Sequence, residues 1–384
     1  MAPAAAYDKA GGAARALLRI EDQPFSGTAR LRRADRCPYA AWVRARPEEL
    51  EEPALVHALT EGWGFEVDVC EYADVGFGSY HWFVTETDGS RSFVTVDDLD
   101  QKPWLGTTRN EAFDGLMRAF DAALALRDSG LAFVVAPIST NQGETVRRID
   151  SRYAVALFPL VDGLAGRFGR YDSNDERAAV VMLLAQLHGA TGKIGARARR
   201  AEIRVQGRQQ LEAALRDVGT NWAGGPMSEP ARSLLAANVS DVAALLAAGV
   251  RLGAEVAARS TNWVITHGEP HPGNVMRSGE SLVLVDWDTV ALAPPERDLW
   301  LVVDEQGDEL DAYTAATGHP VDANALTFYR LTWELADLAA FIDLFRSPHR
   351  RTADTEVAYE ALTQCATIRR RWNGVLSSAS RSAR

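Results

Sequence analysis

Lysine, cysteine and long apolar runs are all scarce in this sequence. Only Lys9, Lys102 and Lys193 are lysines among 41 basic residues, so a lysine at a chemical position would stand out. The three cysteines, Cys37, Cys70 and Cys365, are an odd count without metal-ligand spacing, which indicates neither a disulfide framework nor a zinc site. No uncharged apolar stretch reaches the roughly 18 residues of a membrane span. The most Ala/Leu-rich segment, 241–258, is interrupted by Asp241, Arg251 and Glu255. A basic and then apolar leader is missing from the N-terminus, so a cytoplasmic location is expected. An excess of positive charge is missing as well: the net charge of −11 disfavours nucleic acid, which needs a basic face to displace counterions.

What is present fits an ordinary globular protein. Its 384 residues, 47% hydrophobic and 24% charged, are average in composition and long enough for two lobes. Residues 1–48 carry nine basic and five acidic residues, or +4, without hydrophobic periodicity, and read as a disordered extension or a start placed too early. The Ser-rich end, 373–384, reads as a flexible tail. From Pro47 a short helix with early acids runs to a Gly stop. Val67 to Tyr72, Tyr80 to Thr85 and Ser92 to Val96 predict an antiparallel meander joined by Gly-containing turns. Residues 109–128 predict an amphipathic helix. Phe133 to Pro137 and Tyr153 to Phe158 are expected to complete a five-stranded sheet, giving an N-terminal lobe over 49–160. Helical patterns then fill 174–191, 207–217, 228–258 and 323–345, so 161–372 is expected to be mostly helical.

Two short strands in that second lobe flank the most informative passage, THGEPHPGNVM followed by VDWDTVALAPPERDLW. Phosphoryl transfer needs a carboxylate to orient or deprotonate the acceptor hydroxyl, and oxygen ligands for magnesium on the nucleotide phosphates. Glu269 and Asn274, five apart on a Pro/Gly-rich loop, have the spacing of base and metal-binding Asn in a kinase catalytic loop. Asp286 stands twelve residues after Asn274, where a second metal ligand belongs.

With these residues the chain resembles the aminoglycoside phosphotransferase family of small-molecule kinases, which includes spectinomycin and hygromycin phosphotransferases and choline and homoserine kinases. The likeness runs from about residue 50 to 345. The family's His-Gly-Asp-x-x-x-x-Asn loop is matched by His267, Gly268, Glu269 and Asn274, and its Ile-Asp-Trp/Phe-Asp/Glu motif by Val285, Asp286, Trp287 and Asp288. Asp298 matches the following Pro-x-x-Asp-Leu. The resemblance implies an α+β, protein-kinase-like bilobal fold with ATP and Mg²⁺ as cofactors. It implies catalysis by Glu269 with His267 beside it, metal binding by Asn274 and Asp286, and loop bracing by Asp288 and Asp298. His267 itself is expected to brace the loop rather than donate protons. It also places nucleotide contacts at the first hairpin, Gly76, Gly78 and Ser79, and at a hinge, Phe158 and Leu160. The acceptor pocket falls among the C-terminal helices, where Glu334 and Asp337 share a face.

Two departures stand out. The family has Asp where this chain has Glu269, one methylene longer, or roughly 1.5 Å in reach; about 1 Å of misplacement can cost about 10²-fold in rate. The family's β3 lysine is replaced by Thr95, leaving Lys102, Arg109 or His81 to reach phosphate from nearby, and leaving Glu111 without an assured partner. Nine acids against Arg297 between Asp286 and Asp311 read either as a solvated helix face or as a rim that attracts a cationic substrate. His188 reads as a packing residue. The leading expectation is an ATP- and Mg²⁺-dependent phosphotransferase acting on a hydroxyl of a small, amine-bearing molecule, working as a monomer or homodimer. An impaired pseudokinase and a metabolic small-molecule kinase remain the alternatives.

Overall fold

The computed structural model describes residues 46–366 and Trp372, except Glu48, Gly76, Phe77, Phe168, Arg170, Asp172, Gly195, Ala196, Ser260 and 304–307. Gly76, nearly all of the 1–48 extension, the 373–384 tail, Asp304 and Glu305 therefore lie outside the described residues.

Helix α1 (Glu52–Trp63) ends where Gly64 adopts the left-handed conformation, φ 74°, and its N–H closes on the Thr60 carbonyl, a conformation cheap only for glycine. Strands β1 (Val67–Ala73), β2 (Tyr80–Glu86) and β3 (Arg91–Asp98) form the expected meander. A 3-10 turn, Leu99–Gln101, then leads to α2 (Arg109–Asp128). Strands β4 (Arg147–Arg148) and β5 (Tyr153–Pro159) complete an antiparallel sheet in the order β1-β2-β3-β5-β4. The period-2 alternation of β5 divides its side chains between two cores. Tyr153, Val155 and Leu157 pack with α1, whereas Ala154, Ala156 and Phe158 pack under Leu116 and Phe120 of α2.

The expected fourth strand is corrected. Phe133 to Pro137 lies outside this sheet: Val135 N–H donates to Leu284 O (3.0 Å), Leu284 N–H to Phe133 O (2.7 Å), and Ile138 N–H to Leu157 O (2.7 Å). Pro137 has no N–H and restrains Ala136 before it, so the segment cannot continue as a ladder. It instead ties the sheet to the helical part.

Beyond β6 (Leu164–Ala165) the chain is mostly helical: α3 (Asn174–Gly189), α4 (Thr191–Ile194), α5 (Arg208–Asp217), α6 (Ser228–Ala237) and α7 (Val239–Arg259). Strands β7 (Val264–Thr266), β8 (Val275–Ser278), β9 (Ser281–Leu284) and β10 (Ala291–Ala293) carry the motif passage. They are followed by α8 (Glu296–Val302), α9 (Asp308–Thr317), α10 (Ala323–Arg346) and α11 (Ala353–Ala366). The single helix expected over 228–258 is two helices bent by 75°. At the break Asn238 donates its side-chain amide to Leu234 O (2.9 Å), competing with the main chain for that carbonyl. No single helix among the described residues is long and apolar enough to cross a membrane.

Helix α2 joins the two parts. One side meets β5, while Ala119, Ala122, Ala123 and Leu126 pack with Val180, Leu184 and Leu187 of α3. Its N-terminal half is pinned at Gly115, where a Cβ would stand 2.6 Å from the Leu105 carbonyl oxygen. Gly115→Ala is therefore expected to destabilise the protein by about 1–3 kcal/mol despite the better helix propensity of alanine. A thermal melt that stays unchanged would show that this contact yields freely.

Candidate active site

The motif passage forms a loop held by its own main chain. After β7, Gly268 takes φ 105°, and the Arg297 guanidinium fills the space where a Cβ would project. Arg297 is fixed there by Thr266 Oγ1 (2.7 Å) and Thr289 O (2.9 Å). Asp298, fully buried, accepts from His267 N–H (2.8 Å) and Gly268 N–H (2.6 Å). Tyr171 donates its hydroxyl to Pro270 O (2.6 Å), and Asn274 donates its side-chain amide to Glu269 O (3.0 Å).

His267 is also committed to this framework. Nε2 meets Val285 O (2.9 Å), Nδ1 accepts from Glu269 N–H (3.2 Å), and the ring packs edge-on against Trp287 at 4.6 Å. Burial, above all, holds its pKa below the ordinary imidazole value. It sits as the expected brace, both ring nitrogens being occupied by main chain, and only its grouping with Glu269 as a catalytic residue is corrected.

Glu269 differs. Among the described residues its carboxyl has no hydrogen-bond or ion-pair partner, and its pKa is pushed up to about 7. Burial is the main cause, followed by the Asp288 charge, against the opposing pull of Arg297 and Lys102. Asp286 is likewise unpaired among the described residues. It is the one described non-glycine residue with positive φ, 67°, which turns the chain sharply after β9. Although its side chain is open to solvent in the cleft, the surrounding protein raises its pKa well above the carboxylate range, as do the Asp288 and Glu269 charges. A divalent cation would relieve that repulsion. Asp286 and the oxygen of Asn274, whose nitrogen is already used by Glu269 O, are the residues that would hold it, as oxygen donors to a hard cation.

Asp288 was expected to brace the loop, and this is corrected. Its Oδ2 accepts from Lys102 Nζ at 2.8 Å across the cleft, so bracing falls to Asp298. Lys102 is fully buried and also contacts Asp97 Oδ1 (2.7 Å) and Ser79 Oγ (3.0 Å). Burial works to lower its pKa, yet Asp288 and Asp97 hold it above the ordinary lysine value. Thr95 stays on β3 with His81 Nδ1 at 3.3 Å, and burial pushes His81 down to about 3, so that ring is uncharged. Arg109 is engaged on the surface by Asp100 (2.6 Å). Glu111 is spent on the α2 capping box, accepting from Thr107 N–H (2.8 Å) and Thr108 N–H (3.1 Å).

Ser79, beside Gly78 (φ 82°) in the first hairpin, also donates to Asp97 Oδ1 (2.6 Å). Phe158 faces α2, and Leu160 follows the end of β5. On α10, Glu334 accepts from Trp372 Nε1 (2.8 Å). Asp337 is 6% exposed with Oδ1 unpartnered. Burial, then Glu334 and Glu269, raise its pKa well above the carboxylate range. The acidic rim is corrected in part: Glu296 accepts from Asp322 N–H (2.7 Å), and Glu309 pairs with Arg177 (2.6 Å). His188 is no mere packing residue, since its Nε2 meets Asp298 Oδ2 at 3.1 Å and its Nδ1 meets Tyr313 Oη at 2.7 Å. The run LLAQLHG gave no hint of partners so far along the chain.

Comparison with known proteins gives the family and the fold. The model of the phosphotransferase enzyme family, APH, matches residues 70–334. Protein StrN of Streptomyces griseus is 28% identical over 274 residues, which is 68% of this chain and 80% of that protein. The fold resembles a spectinomycin phosphotransferase solved with ADP and spectinomycin, with a TM-score of 0.63 and 16% identity over 83% of this chain and 98% of that one. It also resembles a microcompartment-associated aminopropanol kinase, with a TM-score of 0.55 and 14% identity over 86% and 98%.

The raised pKa of Glu269 sets a pH dependence of stability. A carboxyl that binds its proton more tightly when folded contributes fully below its unfolded value, near 4.5, and loses that contribution as pH rises through about 7. Glu269→Gln removes the loss. The variant should match the wild type in acid and exceed it at pH 8 by something on the order of 1–3 kcal/mol. Melting both proteins from pH 4 to 8 checks this, and parallel curves would contradict it.

Proposed function

This chain belongs to the APH phosphotransferase enzyme family, and on that premise we propose that it moves the γ-phosphoryl group of ATP to a hydroxyl of a small, amine-bearing molecule, with Mg²⁺. The observation that carries this reading is the placement of two carboxyl groups, Glu269 and Asp286, unpaired among the described residues, with Asn274 on a loop whose main chain is anchored by Asp298 and Tyr171. In this reading residues 49–160 form the nucleotide lobe and 161–372 the catalytic and acceptor lobe. The hinge main chain at Phe158 and Leu160 receives the adenine. The first hairpin, with Gly78 and Ser79, covers the phosphates.

Asn274 and Asp286 would hold Mg²⁺, which when bound neutralises charge on the phosphates. Glu269 takes the proton of the acceptor hydroxyl as its oxygen bonds to the γ-phosphorus and the bond to the ADP oxygen breaks. A base near pKa 7 suits this role at neutral pH. Lys102 supplies positive charge beside the phosphates. Its pair with Asp97 stands in for the lysine–glutamate pair that Thr95 and the capped Glu111 cannot make. Asp337, buried and with a free oxygen, supports an ammonium group on the acceptor, since an unpaired buried carboxylate is costly without a cation.

The test is incubation with MgATP and a panel of aminoglycosides, spectinomycin, choline, homoserine and nucleoside antibiotics, read by mass spectrometry. An amine-bearing acceptor heavier by one phosphoryl group is expected. Glu269→Gln should lower its kcat by about 10²–10⁴-fold, and equal turnover in the variant would sink the assignment of the base. A product formed only from an uncharged acceptor would overturn the amine preference.

A further inference from the structure

We propose that Arg199, together with Arg297, forms a binding site for a doubly charged oxyanion of the phosphate class, beside the loop that carries Glu269. The backbone places Arg199. Its carbonyl accepts from Leu292 N–H (2.8 Å), and Ala201 N–H donates to Leu292 O (2.8 Å), so residues 199–201 run parallel to β10 with Arg200 in register with Leu292. Side chains alternate along such an extended segment. Arg200 leaves on one face and lies over the Trp263 ring at 3.7 Å, while Arg199 leaves on the other. That second face carries Ala291, Ala293 and Thr266, since Ala291 pairs with Thr266 between β10 and β7. Thr266 Oγ1 holds the Arg297 guanidinium at 2.7 Å. Two guanidinium groups therefore share a face whose strand residues are small.

Neither arginine has an acid to itself. Among the described residues the Arg199 side chain makes no hydrogen bond or ion pair, and its Nε is buried without an acceptor. Arg297 spends its nitrogens on two neutral groups, Thr266 Oγ1 and Thr289 O. The carboxylates nearby are engaged elsewhere: Asp288 by Lys102 (2.8 Å), Glu202 by Arg204 (2.7 Å), and Asp298 by the loop N–H groups. Burial, and then the Arg297 charge, lower the Arg199 pKa to about 10, against the pull of Asp288 and Glu202. The guanidinium is still charged at neutral pH. A cation so placed is costly without an anion, and its fork of N–H groups matches the oxygens of phosphate. Two positive charges without acids call for an ion with two negative ones, which selects hydrogen phosphate or a phosphate monoester over chloride or a single carboxylate. Both side chains are half-buried, so a small ion can reach them. A further unused donor, Tyr329 Oη of α10, is buried without a partner and lies within range of the Arg297 charge.

The experiment is calorimetric titration of inorganic phosphate into the full chain at about pH 8, where the ion is doubly charged, with excess ADP and Mg²⁺ present and the ionic strength held with chloride. One saturable site is expected. Arg199→Gln should weaken it by about 10–100-fold, the worth of a hydrogen bond to a charged group. Methyl phosphate titrated in the same way separates the sources: tighter binding than inorganic phosphate identifies an ester as the ligand, and weaker binding the free ion. Thermal melts supply a second reading. In chloride alone Arg199→Gln should melt no lower than the wild type, because it removes a repulsion, and saturating phosphate should then favour the wild type. The proposal is overturned if no saturable site is found, or if the variant binds phosphate as well as the wild type does, as it would at an empty γ-phosphate position. It is overturned equally if phosphate raises both melting points alike, as a general solvent effect does, or if Arg199→Gln is unfolded or plainly less stable in chloride.

Discussion

One buried ammonium group governs how the two halves of this protein face each other. Lys102 Nζ has three hydrogens, and each finds an oxygen: Asp97 at the end of β3, Ser79 beside the first hairpin, and Asp288 across the cleft. Removing such an ion from water is costly, and the attraction offsets the cost only where the geometry is good. The arrangement therefore fixes position more than it adds stability. It sets the sheet at a defined distance from the turn that bears Asp286, and so sets where a nucleotide held by the sheet would present its phosphates.

The catalytic loop is built on the opposite rule. Lys102 joins side chains, whereas the loop is anchored through main-chain groups, by Asp298 from below and Tyr171 at Pro270. Such anchoring leaves side chains free, and this accounts for the unpaired carboxyl of Glu269. It also explains how a longer acid is accommodated: the backbone is held without regard to the Glu269 side chain. The extra methylene changes where the carboxyl lies, not how the loop is supported.

Much of this was legible in the sequence wherever the signal was local. Alternating β-branched and aromatic residues marked β1 to β3, and the apolar spacing of 109–128 marked α2. The five-residue step from Glu269 to Asn274 marked the loop. Contacts made at long range left no trace. Lys102 stood out by rarity, but nothing nearby announced Asp288, 186 residues away. His188 looked like one more residue on an apolar helix face because Asp298 lies 110 residues on. Glu111 was left without an assured partner, and its partners proved to be local, the N–H groups of Thr107 and Thr108. Pro137 was visible and would have argued against a strand at 133–137, had its missing N–H been weighed above the run of β-branched residues.

The scarcity of lysine also has a bearing on chemical labelling. An amine acylates only in its neutral form, and the carboxylates around Lys102 keep that amine charged and out of reach. Simple amine-acylating reagents should pass over Lys102. Lys193, at the exposed end of α4 with its ammonium near the Ser129 carbonyl at the end of α2, is then the one described amine side chain open to such reagents.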